Sequence, residues 1–151
     1  MTAKSRREVL ALGAGGAALA LIGESGPATA TPQEAAEVIA KFTGGKTAEK
    51  GKVSIDLPEI AENGTAVPLT VTVESPMTAS DRITDVLVVA DGNPNPRVAM
   101  FQFTPMSGRA EVATRIRLNA TENVIVVART GDGRFLTARK EVKVTIGGCG
   151  G

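Results

Sequence analysis

The chain has no histidine, tryptophan or tyrosine, and Cys149 is its only cysteine. Histidine is the usual general base and the commonest metal ligand, so its absence removes the most frequent routes to acid–base and metal-assisted catalysis. A single cysteine cannot form an internal disulfide, and zinc and iron–sulfur centres need several ligands of its kind. No basic partner for a serine or threonine nucleophile is evident. The composition therefore argues against an enzyme with its own active site.

An excess of charge of either sign is also missing, because 17 basic side chains face 16 acidic ones. A nucleic-acid-binding protein needs a basic face, and so does a protein that binds anionic membranes electrostatically.

No glycine-rich loop lies between a predicted strand and a predicted helix, so a phosphate site is unsupported. Asp85, Asp91 and Asp132 could meet at loops around a calcium ion, but turn formation is the favoured interpretation.

Residues 1–30 have the pattern of a targeting segment. Arg6 and Arg7 form a twin-arginine motif, which a mildly apolar run over residues 10–22 follows, and Ala-Thr-Ala at residues 28–30 supplies a small-residue cleavage site. The run is shorter than the ~20 apolar residues of a spanning helix. Twin-arginine signals are addresses that a receptor reads. The segment predicts export to a bacterial periplasm of a chain that is already folded or already joined to a partner.

Cleavage after Ala30 takes away three basic and two acidic side chains, which leaves 14 of each on a formally neutral mature chain. Its length suits one domain with one core, which packing alone must stabilise.

A helix is predicted over residues 31–42, with a Thr31 cap, Pro32 in the first turn and Glu34 completing a capping box. We expect Ala36, Ile39 and Ala40 to share its apolar face and Gly44-Gly45 to end it.

After residue 46 the apolar residues alternate with period two, which is typical of strands. Turn signals such as Asp91-Gly92 and Gly131-Asp132-Gly133 separate the runs. The pattern predicts an all-β, immunoglobulin-like antiparallel β-sandwich over residues 31–146, with the short helix as its leader. Its seven strands are expected at residues 53–57, 67–73, 83–90, 97–104, 112–118, 124–129 and 136–146.

Residues 147–151 read Gly-Gly-Cys-Gly-Gly and are predicted to form a flexible arm. Gly147 and Gly148 lead to the thiol, while Gly150 and Gly151 follow it. At ~3.3–3.6 Å per residue, the arm could extend Cys149 about 10 Å from the end of the last strand. Low-pKa thiols sit beside cations or helix N-termini, whereas the nearest charge to Cys149 along the chain is the terminal carboxylate. The thiol is therefore expected to be a covalent attachment point for a substrate on which other proteins act.

Four stretches of the sequence are distinctive: Thr-Gly-Gly-Lys at residues 43–46, Val-Ser-Ile-Asp-Leu-Pro-Glu-Ile-Ala-Glu-Asn-Gly at 53–64, Asp-Gly-Asn-Pro-Asn-Pro at 91–96 and Val-Lys-Val-Thr-Ile-Gly-Gly-Cys-Gly-Gly at 142–151. Together they resemble the SoxY family, the sulfur-carrying subunits of the bacterial Sox thiosulfate-oxidation system. The terminal pentad is the most specific of the four, and the carrier cysteine of the family corresponds to Cys149.

The resemblance implies a non-enzymatic carrier subunit with no metal and no cofactor beyond the sulfur intermediates on Cys149. SoxZ is the implied heterodimer partner. Haem-bearing SoxAX is implied to couple thiosulfate to the thiol, manganese-dependent SoxB to release sulfate, and SoxCD, in some organisms, to oxidise the remaining sulfur.

Two other interpretations of the cysteine remain open from the residues alone. The chain could be a periplasmic immunoglobulin-like binding module that uses Cys149 for an intermolecular structural disulfide. A thiol-only copper-handling protein is a weaker alternative, because copper sites usually add histidine or methionine and the tail supplies neither. Val98, Met100 and Phe103 are candidates for a partner-facing surface, with the sandwich core as an equally good location for them.

Overall fold

Two β-sheets face each other in the computed structural model, which describes residues 31–145. Within that range there are nine strands and one α-helix. The helix α1 is Pro32–Thr43. The strands are β1 (Ala48–Lys50), β2 (Val53–Asp56), β3 (Ile60–Ala61), β4 (Val67–Val73), β5 (Ile83–Ala90), β6 (Arg97–Gln102), β7 (Ala110–Ile116), β8 (Glu122–Thr130) and β9 (Phe135–Val144).

The larger sheet has the order β1-β9-β8-β5-β6, and β3 also pairs with β9. The smaller sheet has the order β2-β4-β7. Within the described part of the chain, β1 and β6 are therefore the edges of the larger sheet, and β2 and β7 are the edges of the smaller one. The architecture is an immunoglobulin-like β-sandwich, as the alternating pattern predicted.

The main core lies between the two sheets and is almost entirely aliphatic. Alternate residues of β4 point into it, and Val67, Leu69 and Val71 are each 1% exposed. Strand β5 is buried on both faces, because α1 covers its outer face at Leu87 and Val89 while the sandwich covers the other face. The uninterrupted apolar run over residues 83–90 was correctly predicted to be a central strand.

The helix begins and ends as predicted, at its N-terminal capping box and at Gly44. The backbone N–H of Thr31 donates to Glu34 Oε2 at 2.9 Å, and Glu34 N donates to Thr31 Oγ1 at 3.4 Å. Gly44 takes the left-handed conformation (φ 63°) that glycine tolerates best. At 12 residues, this helix is too short to cross a lipid bilayer.

The face that α1 packs against the sheet differs from the prediction. Ala36 and Ala40 are exposed, while Ala35 is 1% exposed and Val38, Ile39 and Phe42 pack on β5 and β8. The Phe42 ring contributes to this packing, since it meets Phe135 edge to face at 5.6 Å between centroids. The prediction was right for Ile39 and wrong for Ala36 and Ala40, because alanine is compatible with either face of a helix.

Strands β1 and β3 were not predicted, and they pair in parallel with β9, which differs from a purely antiparallel sandwich. Both are only two or three residues long, so they cannot show a period of two. They lie at opposite ends of β9, where Ala48 faces Phe135 and Ala61 faces Val144. The end of β9 is consequently held by a neighbour up to its last residue.

Candidate functional site: the rim at the end of the last strand

The C-terminal arm leaves the sandwich at the end of β9. Three loops surround this end, at residues 62–66, 91–96 and 117–121, and we call them the arm-bearing rim. The predicted attachment residue Cys149 and the arm glycines Gly147, Gly148, Gly150 and Gly151 lie outside the described residues, as do the export residues Arg6 and Arg7. The rim surrounds the end of β9, which is the described strand nearest to the start of the arm in the sequence.

Backbone hydrogen bonds hold the last described residues of the chain in place. Lys143 N donates to Glu59 O at 2.9 Å, and Thr145 N donates to Ala61 O at 3.1 Å. Between them, Val144 N donates to Thr121 Oγ1 at 3.1 Å. Each of these consecutive N–H groups has a partner, so the chain is anchored up to Thr145.

The loop at residues 62–66 bridges the end of β9 and the loop at residues 117–121. Asn63 Oδ1 accepts from Thr65 N at 2.9 Å, which forms a local turn. Gly64 O accepts from Leu118 N at 2.8 Å. A Cβ atom on Gly64 would overlap the carbonyl oxygen of Leu118 and lie 3.0 Å from Val144 Cγ1. This close backbone approach requires glycine at position 64.

Glu122, the first residue of β8, lies next to the rim loops and is only 3% exposed. Its Oε2 accepts from Gly92 N at 2.8 Å, and its Oε1 accepts from Asn119 N at 2.9 Å. Burial raises the pKa of this carboxyl above its ordinary value, because these backbone bonds only partly offset the desolvation. Glu122 thereby ties together two of the three rim loops.

Asn93 and Asp91 add further bonds to the same network. Asn93 Nδ2 donates to Arg117 O at 2.7 Å, and Asn93 Oδ1 accepts from Asn119 N at 2.9 Å. Asp91 Oδ1 accepts from Asn123 N at 2.8 Å. Throughout residues 31–145, every buried side-chain nitrogen or oxygen has a hydrogen-bond partner. A fully paired network of this kind makes the rim rigid.

The possible calcium site is not formed. Asp85 pairs with Arg129, Asp91 with Arg139 at 3.2 Å and Asp132 with Arg134 at 2.8 Å, so the three carboxylates have separate partners. Over the described range, no three acidic, cysteine or histidine side chains lie close enough together to hold a metal ion. The predicted role of aspartate in turn formation is confirmed at Asp132, which binds Thr130 Oγ1 and Arg134 N across its own turn.

Two of these carboxyl groups have lowered pKa values. Burial alone would raise the pKa of Asp85, but hydrogen bonds from Arg129 and Thr84 outweigh it, so the net direction is down. The hydrogen bond from Thr130, with those from Arg134, lowers the pKa of Asp132 to about 2. Both carboxylates act as structural anchors at the opposite end of β8 from the rim.

The suggested partner-facing residues, two in β6 and Phe103 just after it, do not share a surface. Val98 and Phe103 pack against the main core and are only partly exposed. Met100 is 42% exposed and lies opposite Leu87, on the outer face of the larger sheet beside α1. The core interpretation therefore applies to Val98 and Phe103, and only Met100 is available to a partner.

Sequence reasoning missed Glu122 and Asn93 as organisers of the site. Asn93 was noticed only within a turn signal, and Glu122 is a lone acidic residue at the start of a strand. Neither side chain has its partners nearby in the sequence, since Glu122 binds Gly92 and Asn93 binds Arg117. No local pattern reports such long-range bonds.

The chain is similar to solved structures of two kinds. The chain is similar to the sulfur carrier protein SoxY from Chlorobium limicola f thiosulfatophilum, with 35% identity and a TM-score of 0.64 over 77% of this chain and 100% of that one. It also resembles the superoxide reductase (neelaredoxin) from Ignicoccus hospitalis at 22% identity, with a TM-score of 0.56 over 63% of this chain and 81% of that chain. The latter likeness concerns the fold alone.

Comparison with the curated proteins finds no match. The family model described as "Sulfur oxidation protein SoxY" matches residues 39–149, a range that contains the arm-bearing rim and Cys149. That range is most of the chain, and the solved SoxY structure agrees with it in sequence and in fold. This chain belongs to the SoxY family of sulfur oxidation proteins.

Proposed function

We propose that this chain is a covalent sulfur carrier of periplasmic thiosulfate oxidation and that Cys149 bears the intermediates. The observation that carries the proposal is the SoxY family match over residues 39–149, which includes the only cysteine of the chain. The similar protein from Chlorobium limicola is named a sulfur carrier protein. With no other thiol and no histidine in the sequence, Cys149 is the one side chain suited to this chemistry.

The proposed loading step joins the thiol to thiosulfate. Cys149–SH and S₂O₃²⁻ give Cys149–S–S–SO₃⁻, one proton and two electrons, which a haem-bearing partner of the SoxAX type accepts. Hydrolysis by a SoxB-type partner then adds water and releases sulfate with two protons, leaving Cys149–S–S⁻. A SoxCD-type partner, where the cell has one, oxidises the remaining sulfur. The carrier itself supplies the thiol and its position, and the partners supply the catalysis.

The anchored rim supports this division of labour. The hydrogen bonds to Lys143, Val144 and Thr145 fix the point at which the arm begins, so its position relative to the body is defined. A partner enzyme that recognises the rigid body would then have the thiol within a known radius, on the order of 10–14 Å for three to four extended residues. A defined radius raises the local concentration of the bound sulfur at the partner's site.

The proposal includes the cellular setting. Residues 1–30, with Arg6 and Arg7, would direct the folded chain to the periplasm by the twin-arginine route. SoxZ would be its heterodimer partner, and the SoxAX, SoxB and SoxCD enzymes would bind transiently. An intermolecular structural disulfide through Cys149 is the competing function for the same residue.

Intact-mass spectrometry of the protein from thiosulfate-grown cells tests the proposal. We expect adducts on Cys149 with the masses of the thiosulfonate and persulfide forms, and we expect the Cys149→Ser variant to carry none and to support no thiosulfate-dependent turnover with the partner enzymes. Its fold should be unchanged, because residue 149 lies beyond the last core strand. A disulfide-linked dimer as the main species, or full turnover by Cys149→Ser, would overturn the carrier function.

A further inference from the structure

An apolar groove of about 270 Å³ lies on the outer face of the larger sheet, between the second half of α1 and the edge strand β6. Its apolar lining comes from Val38 and Phe42 of the helix, Leu87 of β5 and Met100 of β6. Leu87 is buried, whereas Met100 is 42% exposed and is one of three exposed large apolar side chains within residues 31–145. The described body therefore leaves this apolar surface uncovered.

The charged residues that line the groove are both cations, Lys41 and Arg97, and no acidic residue lines it. Arg97 Nη2 lies 3.8 Å from Met100 Sδ, so the guanidinium is directly beside the apolar lining. Neither cation takes part in an ion pair within residues 31–145. The surface is thus complementary to an apolar side chain that has carboxylates next to it.

The backbone of Met100 faces the open edge of the sheet. Phe103 N donates to Thr84 O at 2.8 Å, so Phe103 directs its backbone groups towards β5. Because these directions alternate along an antiparallel pair, the backbone groups of Met100 and Gln102 point away from β5. No described strand pairs with β6 on that side. An unpaired edge of this kind can accept a further strand.

The same edge disfavours pairing with a second copy of this chain. The register between β5 and β6 shifts next to Val98, and such a bulge limits indiscriminate pairing along an edge. Two copies joined along β6 would also bring two Lys41 and two Arg97 side chains to one continuous surface, where like charges repel. A partner with carboxylates at the corresponding positions gains attraction instead.

We propose that the groove and the free edge of β6 together bind an extended segment of a partner protein, in which acidic residues flank an apolar one. The segment adds as a strand beside β6, with backbone hydrogen bonds to Met100 and Gln102. Side chains two residues apart share a face, so its apolar side chain and both carboxylates lie on the side of the groove. The surface involves neither Cys149 nor the arm, so its failure leaves the carrier function unaffected.

A synthetic peptide tests the proposal on the isotope-labelled full chain. The probe is Thr-Asp-Thr-Leu-Thr-Glu-Thr with blocked ends, which places Asp, Leu and Glu on one face. We expect it to bind with a Kd on the order of 1 mM and to shift the backbone NMR signals of Met100 and Gln102. Amide exchange at these two residues should slow, because strand addition gives their N–H groups acceptors. No shift up to about 10 mM peptide would overturn the proposal.

A second peptide, with Gln in place of both Asp and Glu, measures the part played by charge. Two exposed charge pairs of the usual strength make its Kd about two- to thirty-fold higher than that of the acidic peptide. The difference should shrink as salt rises, because exposed charges are screened. Equal binding of the two peptides would remove the acidic partner from the proposal.

Two methionine variants supply the matched controls on the protein. Met100→Lys places a further cation in the groove and should abolish binding of the acidic peptide's apolar side chain, while the fold survives because the site is exposed. Met106→Lys adds the same charge at a residue that is 96% exposed and outside the groove, and it should bind the peptide like the parent. Equal binding by both variants would contradict the assignment.

The other possible occupants give results of their own. Analytical ultracentrifugation of the full chain should show no dimer that Met100→Lys dissociates; such a dimer would mean that a second copy occupies the edge. The Met100 signals of the full chain should match those of the chain cleaved after Ala30. A difference that spreads over β6 and the end of α1 would mean that the leader fills the groove, and it would overturn the binding of a partner.

Discussion

At the scale of single residues, Glu122 shows how a buried carboxylate organises the arm-bearing rim. It accepts one backbone N–H from each of two loops, at Gly92 and at Asn119. A glutamine at this position keeps the shape but replaces one acceptor by a donor that faces a backbone N–H group, so one of the two hydrogen bonds to residue 122 is lost. We therefore expect Glu122→Gln to lower the free energy of unfolding by about 1–3 kcal/mol.

Urea denaturation with an unchanged m-value measures this loss. Glu111→Gln is the matched control, because Glu111 is exposed on β7, and it should stay within about 0.5 kcal/mol of the parent. Equal stability of Glu122→Gln and the parent would mean that the network is not a determinant of the fold.

Asp132 gives a pH-dependent prediction at the same scale. Its pKa is lowered from 3.8 to about 2 by Thr130 and Arg134, so the folded chain holds this proton less tightly than the unfolded chain does. The stabilisation is thus complete above the unfolded pKa and is lost as the pH falls through the folded one. We expect the destabilisation caused by Asp132→Asn to shrink between pH ~4 and pH ~2. If Asp132→Asn lowered the free energy of unfolding by the same amount at pH ~4 and at pH ~2, the lowered pKa of Asp132 would be contradicted.

At the scale of elements, the strands were predictable where burial imposes a period of two over five or more residues. Strands β4, β5 and β8 bury alternate or successive apolar residues, and each was predicted to within two residues at either end. Strands β1 and β3 were not, because pairing with β9 creates them and their own sequences are too short to show a period. The helix was predicted from its capping residues, whereas its packed face depends on Phe42 meeting Phe135.

Gly64 gives a prediction about how the rim elements fit together. Its backbone touches Leu118 so closely that a Cβ atom would overlap a carbonyl oxygen, which cannot move aside as a flexible side chain can. We expect Gly64→Ala to destabilise the fold by about 1–3 kcal/mol, the usual cost of overpacking. Gly131→Ala is the control, since its Cβ would meet the Arg82 side chain at an ordinary 3.4 Å.

The two glycine variants are compared by their urea denaturation midpoints, and we expect a lower midpoint for Gly64→Ala than for Gly131→Ala. Because the 62–66 loop also touches Val144, Gly64→Ala should in addition shift the backbone NMR signals of residues 143–145, and Gly131→Ala should leave them unchanged. Similar midpoints for both variants would mean that the loop relaxes away from Leu118 at little cost.

At the scale of the whole molecule, the candidate site combines parts that only the fold brings together. The arm and its cysteine were evident in the sequence because they form one contiguous motif, and they lie outside the described residues. The hydrogen-bond network of the rim was not evident, because Glu122 and Asn93 bind backbone groups of loops that are distant from them in the sequence. A motif of adjacent residues can be predicted from a sequence, while a network of hydrogen bonds between distant loops cannot.

Export concerns the molecule as a unit, because the proposed route moves a chain that has already folded. We expect Arg6→Lys combined with Arg7→Lys to retain the precursor in the cytoplasm, since a receptor that reads paired guanidinium groups does not accept an equal charge. Immunoblots of periplasmic and cytoplasmic fractions measure the distribution. Lys4→Arg, which leaves the pair intact, is the control and should be exported normally. If the double variant reached the periplasm at the level of the parent chain, the leader would have to be read by a route that needs only positive charge, and folding before export would no longer be required.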